Sequence, residues 1–137
     1  MILVDTNVLL DIATHDSEWF DWSSARLLAA RKIDKLAINP IIYTELVPAY
    51  PTTVELDRLL VPPTLFKRLP LPYSVAPIAA RAFAAYRQQG GNRTAPLPDF
   101  FIGAHAEAEK LILLTRDPAR YQTYFPWVHL ICPKIRS

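Results

Sequence analysis

Cysteine occurs once in the 137 residues, at Cys132, so no internal disulfide can form. That usage fits a reducing compartment. Cys132 follows the apolar run 128–131 and reads as a small buried or edge residue, not a nucleophile. Long apolar runs are also missing. No stretch approaches the roughly 20 residues that cross a bilayer. The opening Met1-Ile2-Leu3-Val4-Asp5 has neither the positive leader nor the apolar segment of a secretory signal. The expectation is a soluble cytoplasmic protein with no membrane partner. Neither sign of charge dominates: 15 basic residues face 13 acidic ones, a net charge of +2. That balance permits nucleic-acid binding without arguing for it. Histidine is sparse, and His15, His105 and His129 lack the spacing of metal ligands. Glycine is scarce beside proline, 3 against 13. The prolines cluster at Pro62–Pro63, Pro70/Pro72 and Pro96/Pro98, where they separate elements and do not form a low-complexity tract. Internal repeats and linker composition are absent.

What is present suffices for one ordinary domain spanning residues 1–137. About half the chain is apolar (51%), enough to fill one core without disulfides or a structural metal. Ile2-Leu3-Val4 reads as a buried strand ending at Asp5, with Thr6 and Asn7 offering side-chain oxygens to cap a helix that begins near Val8. Residues 17–32 have a helical pattern with Trp19, Trp22, Leu27 and Leu28 inward. Leu36-Ala37-Ile38 is a second strand. Asn39-Pro40 then opens a helix carrying Ile41, Ile42, Glu45, Leu46 and Ala49. A further helix covers residues 53–60 and is stopped by Pro62 and Pro63. A strand follows at 66–69. Val75, Ile78, Ala79, Ala82, Phe83 and Tyr86 recur at helical spacing up to Gly90-Gly91. Residues 92–98 form a loop carrying Arg93, and Pro98-Asp99 opens a helix to about Lys110. Strands are predicted at 111–114 and 128–131, with a turn or short helix at Asp117-Pro118. Strands alternating with helices imply an α/β fold, its parallel sheet of four or five strands covered on both faces.

That topology points to acid chemistry. Asp5 directly follows the first strand, Asp117 closely follows the strand at 111–114, and Asp99 lies in the first turn of its helix. Glu45 stands one turn into the helix after the second strand. In parallel α/β sheets ligands bind beyond the carboxyl ends of the strands. If the first and 111–114 strands are neighbours, Asp5, Glu45, Asp99 and Asp117 reach one edge. Four carboxylates there repel unless protonated or cation-bound, and oxygen-only ligation suits Mg²⁺ or Mn²⁺. Taken singly, each acid reads equally well as a helix cap or a partner of the helix dipole.

The ordered segments Val4-Asp5-Thr6-Asn7-Val8-Leu9-Leu10, Ile41-Ile42-Tyr43-Thr44-Glu45-Leu46, Leu97-Pro98-Asp99-Phe100-Phe101-Ile102-Gly103-Ala104-His105-Ala106 and Leu113-Leu114-Thr115-Arg116-Asp117-Pro118 span nearly the whole chain. Together they resemble the PIN-domain family, in particular its VapC-like toxin ribonucleases. The resemblance implies a three-layer α/β/α fold and metal-dependent cleavage of RNA. It implies an acidic quartet of Asp5, Glu45, Asp99 and Asp117 holding Mg²⁺ or Mn²⁺, with Asn7, Thr115 and Thr6 as polar helpers. Asp5, Glu45 and Asp99 would be the principal ligands, and Asp117 would act through water or orient the nucleophile. It also implies a homodimer and a cognate antitoxin, for which Leu59, Leu60 and Phe83 are candidate contacts. The Trp19/Trp22 helix and the Pro-rich middle match nothing in that pattern.

Several other residues bear on this site. His105 follows Asp99 by six positions, about 240° around an ideal helix, and should face away. Ser23-Ser24 has no paired base and reads as a helix-surface pair. Arg93, Arg116 and Arg120 lie near the acids and suit RNA phosphates, or equally a solvated face with local ion pairs. Tyr121, Tyr124, Phe125 and Trp127 suit a core or dimer contact better than base stacking. Competing readings are an acid-centred phosphotransfer or phosphatase domain, a non-catalytic binding module of the same fold and a structure-specific DNA nuclease. The dehalogenase pattern wants an acid at position 7, where Asn7 stands. A receiver domain wants paired acids at the first strand, which are not evident. The complete quartet argues against a binding module. Structure-specific DNA nucleases carry more acids and longer arches. The quartet should share one cleft, with facing carboxylates about 4–8 Å apart, a range built from metal–metal and metal–oxygen distances. At least one acid, Asp5 or Asp99, should have a raised pKa from like-charge repulsion with desolvation added.

Overall fold

A computed structural model describes residues 1–60, 65–92 and 97–134. Five short strands form one parallel sheet: β1 (Ile2–Val4), β2 (Leu36–Ile38), β3 (Phe66–Arg68), β4 (Ile112–Leu114) and β5 (Leu130–Ile131). Their order is β3-β2-β1-β4-β5, all neighbours parallel. β1 and β2 are wholly buried aliphatic runs, as strands covered on both faces must be. Helices α1 (Thr6–Ala13), α2 (Phe20–Ile33), α3 (Pro40–Leu46), α4 (Thr53–Leu60), α5 (Val75–Gln88), α6 (Pro98–Glu109) and α7 (Ala119–Tyr124) complete a three-layer α/β/α arrangement. No helix among the described residues is long and apolar enough to cross a membrane.

The sheet order decides where a ligand goes. From β1 the chain winds one way through β2 and β3, and the other way through β4 and β5. The winding reverses between β1 and β4, which is where open parallel sheets leave a crevice beyond their carboxyl ends. β1 and β4 pair in register, Ile2 with Ile112 and Val4 with Leu114, and the Asp5 N–H donates to the Leu114 carbonyl at 2.9 Å. The residues just after each strand, Asp5 and Thr115, are thereby set side by side.

Two helices carry most of the positioning. In α3, Asn39 caps the first turn, its Oδ1 accepting from the Ile42 N–H at 3.0 Å, with Pro40 at the first helical position. The Asn39 amide also lies 2.9 Å from His105 Nδ1, joining the start of α3 to the middle of α6. Because that amide nitrogen donates, Nδ1 accepts and the imidazole proton sits on Nε2. His105 is fully buried, as its angular position relative to Asp99 predicts, and burial holds its pKa below the usual histidine value. α6 buries an almost continuous run from Phe100 to Ala106. A Cβ at Gly103 would collide with the Phe125 ring, so only glycine lets α6 approach α7 this closely.

Several local expectations change. α1 begins at Thr6 and is capped by the Asp5 side chain, not by Thr6 or Asn7. α2 begins at Phe20 instead of residue 17. Asp16 accepts from the Glu18 and Trp19 N–H groups and holds that stretch in a turn. Leu28, expected inward, is 61% exposed. Ala49 closes a 3₁₀ turn (Val47–Ala49) beyond α3. β3 and β5 are shorter than expected, and Lys110 leaves α6 in the left-handed conformation, φ 54°. Ser23 is no surface residue: it is fully buried and donates to Asp11 at 2.7 Å. Leu60 is buried and Phe83 packs against the core, which leaves Leu59 as the exposed member of that trio. Tyr121 and Phe125 close the core, whereas Trp127 is almost fully exposed. Pro62, Pro63 and Arg93 lie outside the described residues.

Candidate active site

The cleft at the β1/β4 junction holds about 360 Å³ and is lined by Asp5, Glu45, Asp99 and Asp117 together with Thr6, Asn7, Arg120 and Tyr121. All four acids named from the sequence thus face one space. They arrive from different elements: Asp5 from the end of β1, Glu45 from α3, Asp99 from the first turn of α6, and Asp117 from the loop after β4.

Asp5 is the most enclosed of the four, 6% exposed. Its Oδ1 accepts the Thr6 N–H at 2.8 Å. Its Oδ2 accepts from Thr115 Oγ1 at 2.8 Å, the Tyr121 hydroxyl at 2.9 Å and the Asn7 amide at 3.3 Å. All these donors are neutral. Burial pushes the Asp5 carboxyl up to about 6 and outweighs the hydrogen bonds that oppose it. Repulsion from Glu45 is the smallest of the causes, so desolvation, not the expected like-charge repulsion, dominates. The Tyr121 hydroxyl is held well above its ordinary value by burial, with the Asp5 charge adding to it.

Asn7 ties the floor together. Its amide reaches Thr115 Oγ1 at 3.2 Å and Asp117 at 3.4 Å, and its Oδ1 accepts the Arg116 N–H at 3.3 Å. Thr115 also accepts the Asp117 N–H at 3.1 Å, which turns that residue toward the cleft. Thr6 Oγ1 donates to Glu45 at 2.8 Å and anchors α3's acid to the start of α1. The three polar helpers named from the sequence therefore all touch the quartet.

On the open side the acids are paired with arginines. Arg120 donates to Asp99 at 2.8 Å, and its guanidinium lies over the Tyr86 and Phe100 rings at 5.7 and 5.5 Å. Arg116 bonds Asp11 at 2.8 Å and Asp117 at 3.3 Å, and it lies 5.5 Å over the Trp19 ring. Trp19 in turn meets Trp22 edge-on at 5.9 Å. Trp19, expected inward, is only half-buried ahead of α2, and with Trp22 against it supports the arginine that flanks Asp117.

Sequence reasoning missed Tyr121 as an Asp5 partner and Asp11 as an Arg116 partner. They lie 116 and 105 positions from those partners, and no local signal marks such a contact.

No three His, Cys, Asp or Glu side chains among the described residues converge closely enough to enclose an ion. Three of the acids are held by side chains in or beside the cleft: Glu45 by Thr6, Asp99 by Arg120, and Asp117 by Arg116 and Asn7. The donor set itself suits a hard cation. It is all oxygen, it lines one open cleft, and its most buried member has only neutral partners.

No curated protein matches the sequence. Solved structures do match in fold. The chain is similar to one in VapBC2 from Rickettsia felis, solved bound to a DNA fragment from their promoter, at 20% identity and a TM-score of 0.73, covering 98% of this chain and 100% of that one. A chain of VapBC-1 from nontypeable Haemophilus influenzae aligns at 18% identity and a TM-score of 0.71, covering 96% and 98%. One of FitAcB from Neisseria gonorrhoeae aligns at 24% identity and a TM-score of 0.69, covering 95% and 96%. The family model for the PIN domain matches residues 2–126. With that match spanning β1 to β4, the cleft and all four acids, the chain belongs to the PIN domain family.

Proposed function

We propose that this protein is a divalent-metal-dependent endoribonuclease, the toxin of a toxin–antitoxin pair. The observation that carries the proposal is the joint lining of one cleft at the sheet's switch point by Asp5, Glu45, Asp99 and Asp117. Asp5, Glu45 and Asp99 are assigned as the principal ligands of Mg²⁺ or Mn²⁺. The bound ion would lower the pKa of water and offset charge on the phosphoryl oxygens.

The chain's own groups prepare that chemistry. Thr115, Asn7 and Tyr121 fix Asp5 Oδ2 in one orientation, and such outer partners set the geometry of a ligating carboxylate. Thr6 does the same for Glu45. Asp117, 67% exposed in its side chain, is free enough to orient an attacking water. Arg120 neutralises Asp99 and sits at the cleft wall, where a phosphate would take over its charge-assisted hydrogen bond. Arg116 stands beside Asp117 and is offered as a second phosphate contact. Arg93, named for the same role from sequence, lies outside the described residues.

The test is cleavage of single-stranded and hairpin RNA with Mg²⁺ or Mn²⁺ against an EDTA control. Cleavage that EDTA abolishes in wild type and that Asp5→Asn nearly lacks is the expected result. Metal-independent cleavage, or none with either ion, removes the proposal. The fold-level likeness to chains of VapBC complexes supports an antitoxin partner for this chain too, and a homodimer is proposed beside it. Light scattering alone and with the protein encoded beside it checks both. A strict monomer that ignores its neighbour contradicts them.

A further inference from the structure

Glu45 and Asp99 reach the cleft on two helices that pack on each other, α3 and α6. The pair runs antiparallel. Asn39 at the start of α3 meets His105 past the middle of α6, whereas Glu45 near the end of α3 shares the cleft with Asp99 in the first turn of α6. The register is regular: six residues separate Asn39 from Glu45 and six separate His105 from Asp99. Midway, the same register sets Ile42 level with Ile102, and both are buried. Within α6 each three-residue step rises about 4.5 Å and turns the side chain by about 60°, so the face passes from core to cleft between His105 and Asp99.

An aliphatic contact such as Ile42 on Ile102 tolerates a small slide. The Asn39–His105 contact does not, because its roles are fixed. Asn39 Oδ1 accepts the Ile42 N–H at 3.0 Å, which turns the amide nitrogen to His105 Nδ1 at 2.9 Å. Nδ1 can then only accept, and the Nε2 proton faces Glu109 Oε2 at 3.3 Å. Both residues are buried, so a slide that parted them would strand polar atoms out of water.

We propose that Asn39 and His105 are positioning residues, a polar lock that fixes the register of α3 on α6 and thereby the spacing of Glu45 and Asp99. The inference rests on the metal-site reading of the acid cleft and adds two residues that touch neither ion nor substrate. A slip of one residue moves Glu45 past Asp99 by about 1.5 Å. Ligation at about 2.0–2.1 Å does not absorb such a shift. Thr6 and Arg120 orient the two carboxylates, but they tie each helix to a third element, not to each other. Fixing a register is the best-attested use of a buried polar pair.

Two substitutions separate position from stability. In His105→Asn the new Oδ1 falls where Nδ1 was and still accepts from Asn39. His105→Leu fills the space and accepts nothing. Urea unfolding should show both variants destabilised. Calorimetric titration of Mn²⁺ should find His105→Asn within about threefold of the wild-type Kd and His105→Leu weakened about tenfold or more, the usual cost of losing an outer partner of a metal site. Equal affinities in the two variants, both kept or both weakened, overturn the lock. If wild type binds no Mn²⁺, the metal-site reading fails, and NMR decides the lock by itself. Wild type should show an unprotonated Nδ1 on His105 and a methyl contact between Ile42 and Ile102 that His105→Asn keeps and His105→Leu loses or shifts. A protonated Nδ1, or a methyl contact indifferent to both substitutions, overturns it.

Discussion

Asp5 and Asp11 are both buried, six positions apart at the two ends of the same short stretch, and they are compensated in opposite ways. Asp11 has a cation: Arg116 bonds it at 2.8 Å, and Ser23 adds a neutral donor at 2.7 Å. Asp5 has four neutral donors and no cation, and its carboxyl is pushed up to about 6. A paired buried carboxylate is a structural element. A buried carboxylate that faces a cleft with only dipoles around it is destabilised as an anion and gains most from an arriving cation. The difference separates the acid that holds α1 to α2 and the β4 loop from the acid proposed to hold a cation.

The comparison breaks most readily at Asp5. Asp5→Asn should lower RNA cleavage by about 10³-fold, on the order of 4 kcal/mol of transition-state stabilisation, with native circular dichroism. Cleavage by this variant at the wild-type rate would show that Asp5 holds no catalytic cation.

The next largest effect is on stability against pH. The folded carboxyl titrates near 6 and the unfolded one near 3.8, so the folded chain binds this proton more tightly. Stability associated with Asp5 is therefore complete below pH 3.8 and is lost as pH rises through 6, by about 3 kcal/mol in total. Asp5→Asn cannot ionise, so in EDTA its stability relative to wild type should rise between pH 4 and 6 and then level. Urea unfolding across that range reads the slope directly. A difference that stays flat with pH contradicts the account of Asp5.

Much of this contrast was legible in the sequence, and part of it was not. Asp5 is marked by its place after the aliphatic strand Ile2–Val4, and Thr115 and Asp117 by theirs after β4. Parallel pairing of β1 and β4 then brings them together without further information. Asp11 carries no such mark. It sits on an amphipathic helix where an acid ordinarily faces water, and its burial depends on Ser23 of α2 and Arg116 from the β4 loop. The start of α2 was misread because Asp16 captures two backbone N–H groups that a helix from residue 17 would have used otherwise. Tyr121 reads as a core aromatic and is one. What the sequence does not reveal is that its hydroxyl ends on Asp5.

Asp11 supplies the next test. Arg116→Leu leaves that carboxylate buried with Ser23 alone. The cost should be about 2 kcal/mol, below the 3–5 typical of fully buried pairs because Arg116 is partly solvated. It should appear in chemical denaturation. No loss of stability would make Asp11 no better compensated than Asp5. The smallest effect belongs to Tyr121→Phe. Removing one of Asp5's donors should cost about 1 kcal/mol and reduce cleavage several-fold without abolishing it. A larger loss than that of Asp5→Asn would move the centre of the site from the carboxylate to the phenol.

Calorimetric titration of Mn²⁺ at pH 7 into wild type, Asp5→Asn and Arg116→Leu bears most directly on the central claim, that the acid cleft around Asp5 is a divalent-cation site. Saturable binding to wild type, lost in Asp5→Asn and retained in Arg116→Leu, is the expected pattern. Equal binding to wild type and Asp5→Asn, or no binding to wild type, would contradict it.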